Sequence, residues 1–393
     1  MEPPVKTHRA VRSGRPPAYR LCSRCIMDTS DPSIAFDAAG TCSNCRRAES
    51  LLTDRLPMYR TGPYRIDRLV ASIKAAGRGK PYDCVVGVSG GVDSTYVAYI
   101  AKSHGLRPLA VHFDNGWNAE LAVHNIHRAL ERLGIELYTH VVDWEEFRDL
   151  QLAFLKASTP DSEVPTDHGI WALLYKTAAR FGLRYVLSGT NIMTESVLPK
   201  SWTHYVTDWT YVKDIHRRFG TRSLRTYPHA PMPVLAWLIL VRRVRMVSIL
   251  NSVEYRKADA IRILQDELGW RDYGGKHHES TYTRFFQQYI LPKKFGIDKR
   301  RAHLSSLIMS GQMTREDALR EVARPPAEPS EIEQDLEYVA KKLDLTVDEF
   351  HDLMALPVRR AEDYRSGTRR FEQGIAAMRW LQKRRLLPLQ VGP

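Results

Sequence analysis

No stretch of this sequence stays apolar for long. The longest such run, PVLAWLILV at 233–241, has about half the length of a membrane-spanning helix, and Arg242, Arg243 and Arg245 close it. A buried strand or helix is expected there, with an interfacial segment as the alternative, and no membrane partner. The N-terminal MEPPVKTHRAVRSGRPPAYR is basic and proline-rich and lacks the apolar core of a secretory signal, so a cytoplasmic protein is expected. Acidic residues are in short supply: 45 Asp and Glu face 58 Lys and Arg, a formal net charge of +13. That balance favours anionic partners such as nucleotides, acidic sugars or nucleic acid without choosing among them. The 393 residues, 43% of them hydrophobic, suffice for two or three domains around a sizeable core.

Cysteine is scarce, and its placement is uneven. Four of the five cysteines, Cys22, Cys25, Cys42 and Cys45, read C-x2-C-x16-C-x2-C. Two such knuckles give tetrahedral thiolate coordination, and the turn-rich DTSDPSIAFDAAGT between them suits a small ribbon. A segment this short cannot bury a core, so metal binding would order it. Structural Zn²⁺ is the expected ligand; an iron–sulfur cluster also suits four thiolates. Disulfides conflict with a cytoplasmic location. Cys84 stands alone in an apolar strand and reads as buried.

The Walker motif G-x-x-x-x-G-K-[ST] is absent, yet a phosphate cradle is present. The apolar run from Tyr82 to Val88 leads into Ser89-Gly90-Gly91-Val92-Asp93-Ser94, and a helical pattern follows. A loop between a strand and a helix N-terminus presents backbone N–H groups to an anion. Gly90 and Gly91 permit close approach, Ser89 and Ser94 supply hydroxyls, and Asp93 can cap the helix or hold Mg²⁺. Strands are then expected at 107–113, 136–142 and 184–187, and helices at 118–133, 145–156 and 167–181. Asp167 reads as the cap of the last helix. Alternating strands and helices predict a doubly wound parallel α/β sheet, with ligands at the carboxyl ends of its strands. Ser89–Ser94, His112 to Gly116 and Ser188-Gly189-Thr190-Asn191 would then share one edge. Asp114 can reach a ribose or adenine, or cap a turn.

The SGGVDS string resembles the PP-loop of the ATP pyrophosphatases, a HUP-like superfamily that includes GMP, asparagine and NAD synthetases and tRNA-thiolating enzymes. A longer resemblance covers 20–325. CSRCIMDTSDPSIAFDAAGTCSNC, VSGGVDSTYVAY, VHFDNGWN, GTNIMTES and the segment from Gly269 through Leu319 are similar to the N-acetyl sugar amidotransferase family. The resemblance implies that ATP is cleaved between its α- and β-phosphates and that an amide oxygen of an N-acetylated sugar, nucleotide-linked or free, takes AMP. Pyrophosphate leaves, and ammonia displaces AMP to give an acetamidino group for surface glycans. No glutaminase signature is present, so the resemblance implies ammonia from a HisH-like glutaminase with a HisF-like protein beside it. A PP-loop tRNA-thiolating enzyme is the alternative; nucleic acid is otherwise not the expected partner.

The loop carries no cation of its own. Basic residues from 271 to 301 are expected to supply it: Lys276 near the γ-phosphate, with Lys294, Arg300 and the rest of the Lys299-Arg300-Arg301 run, which also reads as a solvated face. His277 and His278 can shuttle protons for ammonia or bind substrate. Glu195, after the Gly189-Thr190-Asn191 turn, can bind Mg²⁺ or ammonium. The expected organisation is a tail (1–20), a four-cysteine zinc ribbon (21–60), the PP-loop domain (61–250), a substrate and pyrophosphate part (251–325) and a helical extension (326–393). Capping boxes are expected at Ser330/Glu333 and Thr346/Glu349. A basic amphipathic helix over 369–385 is expected to pack on the main domain or in a homodimer.

Overall fold

The computed structural model describes residues 18–274, 278–369 and 373–374. Its five strands are β1 (Cys84–Gly87), β2 (Pro108–Asp114), β3 (Glu136–Val141), β4 (Tyr185–Ser188) and β5 (Arg245–Ser248). They form one sheet in the order β3-β2-β1-β4-β5, and every pairing is parallel. Val85 lies between Leu109 of β2 and Val186 of β4.

Side-chain alternation along the strands builds two cores. Val85, Leu109, Val111 and Val186 enter one, against Phe147 and Trp171. Cys84, Val86, Ala110 and Leu187 enter the other, against Val97, Ile126 and Leu264. Helices Trp144–Ala157 and Val164–Arg180 cover the first face; Val92–Ser103, Glu120–Leu133 and Lys257–Leu268 cover the second. Burial on both faces explains why the central strands read as continuous apolar runs. The chain builds outward from β1 through β2 to β3, then returns to β4 on the other side of β1. That reversal opens a crevice at the carboxyl ends of β1 and β4.

The four expected strands are present with ends shifted by a few residues at most; β5 was not foreseen. Its four residues follow a run of arginines and form a sheet edge, too short for a period to register. The apolar run at 233–241 is helical: Met232–Ala236 is α and Trp237–Val241 is a π-turn. Leu235 and Leu238 are buried, whereas Trp237 and Val241 are exposed. No helix among the described residues is long and apolar enough to cross a membrane. Asp167 is not a cap. Its helix begins at Val164, with Glu163 at the N-cap and Pro165 in the first turn, where a missing N–H costs nothing.

The cysteine module carries two isolated antiparallel bridges, Leu21–Asp28 and Phe36–Cys42. It packs on helices Arg300–Met309 and Arg315–Val322. The Arg315 guanidinium donates to the carbonyls of Cys22 (2.8 Å) and Cys25 (3.0 Å), and Arg301 pairs with Asp28 at 3.1 Å. Two further helices, Pro329–Lys342 and Val347–Ala355, follow. Thr346 and Glu349 form the expected capping box, but Ser330 lies inside its helix, whose N-cap is Glu328. Beyond them the chain straps back over the main domain. The Tyr364 hydroxyl donates to the Ala157 carbonyl at 2.7 Å, and the Gly367 N–H and Ser366 hydroxyl donate to Asp208. The helix expected over 369–385 falls, apart from 369 and 373–374, outside the described residues.

Candidate active site

The loop after β1 is held from both sides. Gly90 has φ +84°, and a Cβ there would lie 2.5 Å from the Ala122 carbonyl oxygen, so only glycine fits. The Gly90 carbonyl accepts from the Trp270 indole N–H at 2.8 Å. Gly91 is the N-cap of the Val92–Ser103 helix. The Ser89 and Ser94 hydroxyls lie 3.2 Å apart, and the Gly91 N–H donates to Ser89 Oγ at 3.3 Å. Ser89 Oγ also donates to Glu279 Oε1 at 3.4 Å. Hydroxyls and N–H groups thus converge over a helix N-terminus, an arrangement suited to polyphosphate. Across the crevice, a Cβ on Gly189 would come within 3.1 Å of Asp93 and 3.2 Å of the Ser94 nitrogen. The loop after β4 therefore closes on the helix start at the switch point. Asp93 Oδ1 accepts a hydrogen bond from the buried Tyr255 hydroxyl. Burial, then the Asp93 charge, pushes that hydroxyl's pKa far up, so it remains a donor.

Two cavities meet here. One, of about 350 Å³, is bounded by Ser89, Ser94, His112, Gly189 and Glu163. The other, of about 800 Å³, is bounded by Glu195, Arg256, Lys257, His278, Arg300 and His303. Asp167, Gln287 and Lys299 line both. His112 Nδ1 lies 2.9 Å from the Val88 carbonyl and Nε2 lies 3.1 Å from Asn118 Nδ2. That network places the proton on Nδ1, and burial lowers the ring's pKa, so His112 is neutral. At the cavity floor, Thr283 Oγ1 donates to Glu163 Oε2 at 2.5 Å, and Glu163 Oε1 is buried with no partner among the described residues. Burial pushes the Glu163 pKa up to about 8 against the opposing Thr283 hydrogen bond.

Residues 83–168 match the model of the queuosine biosynthesis protein QueC, and residues 279–378 match that of the LPS biosynthesis protein WbpG-like, C-terminal domain. The first stretch holds β1, the loop, β2 and β3; the second begins at Glu279, which touches the loop. The chain thus carries a QueC-like PP-loop stretch and a WbpG-like C-terminal stretch, each about a quarter of its length. No curated protein matches the sequence. Solved structures similar to it include the NH3-dependent NAD synthetase from Campylobacter jejuni, at 15% identity over 75% of this chain and 96% of that one, TM-score 0.31. The NMN synthetase from Francisella tularensis is 14% identical over 75% of this chain and 95% of that one, TM-score 0.28. A PP-loop of this kind implies ATP with Mg²⁺.

Around the loop, Ser89, Ser94, His112 and Gly189 line the smaller cavity, and Glu195 and Arg300 line the larger. Thr190 and Asn191 shape the site from behind: Thr190 Oγ1 lies 2.9 Å from Ser248 Oγ, and Asn191 caps the short helix Ile192–Glu195. Asp114 takes the turn-capping one of its two expected roles, and Lys294 and Arg300 are already engaged. Asp114 lines neither cavity; its Oδ1 accepts from the Gly116 N–H and Asn118 Nδ2, both at 2.9 Å, which closes a turn. Lys294 lies away from the loop, where Nζ donates to the Leu353 carbonyl at 2.5 Å and burial lowers its pKa to about 8. Arg300 faces the larger cavity but is already engaged by Asp298 at 2.7 Å and by the Glu321 and Arg324 carbonyls. Lys276 and His277 lie outside the described residues. Sequence reasoning missed Glu163, Trp270, Tyr255 and Glu279. The first two residues of GWRDYGG offered the only signal, an aromatic just past a helix-ending glycine.

Cys22, Cys25, Cys42 and Cys45 form the expected cluster, with all four sulfurs within 4.8 Å. The Cys22–Cys45, Cys25–Cys42 and Cys42–Cys45 separations are each 3.7 Å. A tetrahedron with a metal–sulfur bond of about 2.3 Å has edges of roughly 3.8 Å. The N–H groups of Cys25, Met27 and Cys45 point at sulfurs, as thiolate ligands require. The donor set therefore fits a metal ion. The second knuckle opens a helix, Ser43–Ser50, rather than a second ribbon turn.

Proposed function

We propose that this protein is an ATP-dependent amidotransferase that converts an N-acetyl group of a sugar to an acetamidino group. An amide oxygen is a poor leaving group. Its attack on the α-phosphorus of ATP breaks the α–β bond, releases pyrophosphate and leaves an O-adenylyl imidate. Ammonia then forms the new C–N bond as the C–O bond to AMP breaks. The protein's contribution is positioning and charge stabilisation. Ser89, Gly90, Gly91 and Ser94 hold the departing pyrophosphate; Asp93 and Glu195 are the carboxylates suited to Mg²⁺, which would neutralise phosphate charge. Lys276 would bind pyrophosphate, and His277 would shuttle a proton for ammonia or bind substrate. The larger cavity, with Arg256, Lys257 and Lys299 on its wall, suits an anionic sugar. The four thiolates hold Zn²⁺ in a structural role. Ammonia comes from a separate glutaminase, and the enzyme works in the cytoplasm on surface-glycan precursors.

The observation that carries this reading is the contact between Ser89 and Glu279. The WbpG-like stretch begins at the residue that touches the PP-loop. The tRNA-thiolation reading needs a reactive cysteine. Cys84, the one cysteine outside the cluster, is fully buried, and burial pushes its thiol far up. The test is incubation of purified protein with ATP, Mg²⁺, ammonium and a panel of N-acetylated nucleotide sugars. Pyrophosphate release with a product carrying N–H in place of one amide oxygen supports it. Sulfur transfer to tRNA, with no release on any sugar, would replace it.

A further inference from the structure

Glu163 is 7% exposed, lines the cavity that also holds Ser89 and Ser94, and leaves Oε1 without a partner among the described residues. An unpaired buried carboxyl oxygen is destabilising, so its retention beside a ligand cavity points to something that pairs with it. The charges around it indicate the sign of that ligand. Asp161 precedes it in the chain and Asp167 follows one helical turn later; both raise its pKa, and Lys299 is the cation that opposes them. Glu279 and the neutral His112 face the same cavity. Asp161 is itself buried, with a raised pKa, and accepts from the His204 N–H at 2.9 Å. Burial keeps the neighbouring Tyr282 hydroxyl protonated. The group therefore sits where negative charge exceeds positive, which disfavours an anion at Oε1 and favours a small cation.

We propose that Glu163 is the ammonium-binding residue and the base that releases ammonia for attack. The assignment rests on the amidotransferase reading above. Ammonium enters the smaller cavity and donates to Oε1, while Thr283 holds Oε2. One proton passes from nitrogen to the carboxylate, leaving NH3 and a neutral carboxylic acid. The nitrogen lone pair forms the C–N bond, AMP departs with the electrons of the C–O bond, and the amidine product keeps a proton. The carboxyl returns its proton to solvent before the next turnover. A pKa raised to about 8 matches this exchange, because ammonium is a weak acid that an ordinary carboxylate would not deprotonate. One segment links the two halves of the chemistry: Glu279 reaches the PP-loop and Thr283, on the same short stretch, reaches Glu163.

Thallous ion has the charge and similar size of ammonium but no proton, and it scatters anomalously. Crystals of the full chain soaked in thallium acetate above pH 8 should show thallium at Glu163 Oε1, and Glu163→Gln should lose it. No thallium at Glu163 in the wild type, or equal occupancy in the variant, overturns the site. Ammonium and potassium acetate in competition distinguish an ammonium site from a general alkali-cation site: displacement by ammonium at lower concentration than by potassium is expected, and the reverse order overturns the assignment. In turnover, Glu163→Gln should raise the KM for ammonium at least tenfold and change the KM for ATP less than twofold. Equal change in both would make Glu163 structural. If no sugar supports turnover in the wild type, the amidotransferase reading fails while the thallium result still decides the cation site.

Discussion

The Trp270 indole N–H donates to the Gly90 carbonyl at 2.8 Å, joining the end of one helix to the turn of the PP-loop across 180 residues of sequence. The loop is thus not a self-contained motif. Its floor is supplied by the segment just before the WbpG-like stretch, and its rim by Glu279. Trp270→Phe keeps most of the packing and removes the donor. It should destabilise the fold by about 1–2 kcal/mol and raise the KM for ATP, as read by denaturant melts and pyrophosphate release.

Gly90→Ala should be far more severe. The new methyl would meet the Ala122 backbone 2.5 Å away at a positive φ. Pyrophosphate release should fall to background, whereas Ser94→Ala should abolish the same release with a folded protein by circular dichroism. Tyr255→Phe, which strips the donor from Asp93, should show an intermediate loss.

Glu163 gives a pH signature with a defined sign. Its folded pKa of about 8 lies above the ordinary value of 4.5, so the folded state binds the proton more tightly than the unfolded chain. Stability from this group is present below the unfolded pKa and falls as pH rises toward 8. Glu163→Gln removes that titration. The variant's stability relative to the wild type should rise between about pH 5 and pH 8, by a few kcal/mol at roughly 1.4 kcal/mol per pKa unit. Equal slopes in urea melts across that range would contradict the assignment.

The cysteine module grips the helices that carry Arg300, Arg301 and His303. Arg315 binds the Cys22 and Cys25 carbonyls, and Ile26 is buried against Leu304 and Leu307. Chelation, or Cys45→Ser, should release one metal ion per chain and lower the melting temperature. Hydrogen exchange should quicken in residues 300–322 before it quickens in β1 and β2. Metal analysis by mass spectrometry identifies the ion, with zinc expected.

How far the sequence foretold this site depends on where each signal resides. β1, the loop and β2 were legible because burial on both faces and a Gly-Gly turn are local properties. Glu163 was not, because nothing in STPDSEVPTDHG marks which of its three carboxylates faces a cavity. It is buried by Tyr282 and Thr283, which reach Ser162 and Glu163 from 120 residues further along the chain. Asp167 was assigned as the start of its helix one turn too late, because Pro165 permits an earlier start. Lys294 looked like a phosphate ligand by its basic neighbours. The π-helix Phe286–Phe295, with Pro292 inside it, turns that lysine toward Leu353 instead. β5 needed its partner strand to be recognised at all.

The most direct measurement is a coupled assay of pyrophosphate release and product mass, with ATP, ammonium and N-acetylated nucleotide sugars. The account predicts one pyrophosphate and one AMP per sugar converted, no release when either the sugar or ATP is omitted, and a product bearing an amidine in place of an amide. ADP with inorganic phosphate, or AMP formed with sulfur transferred to tRNA, would contradict it.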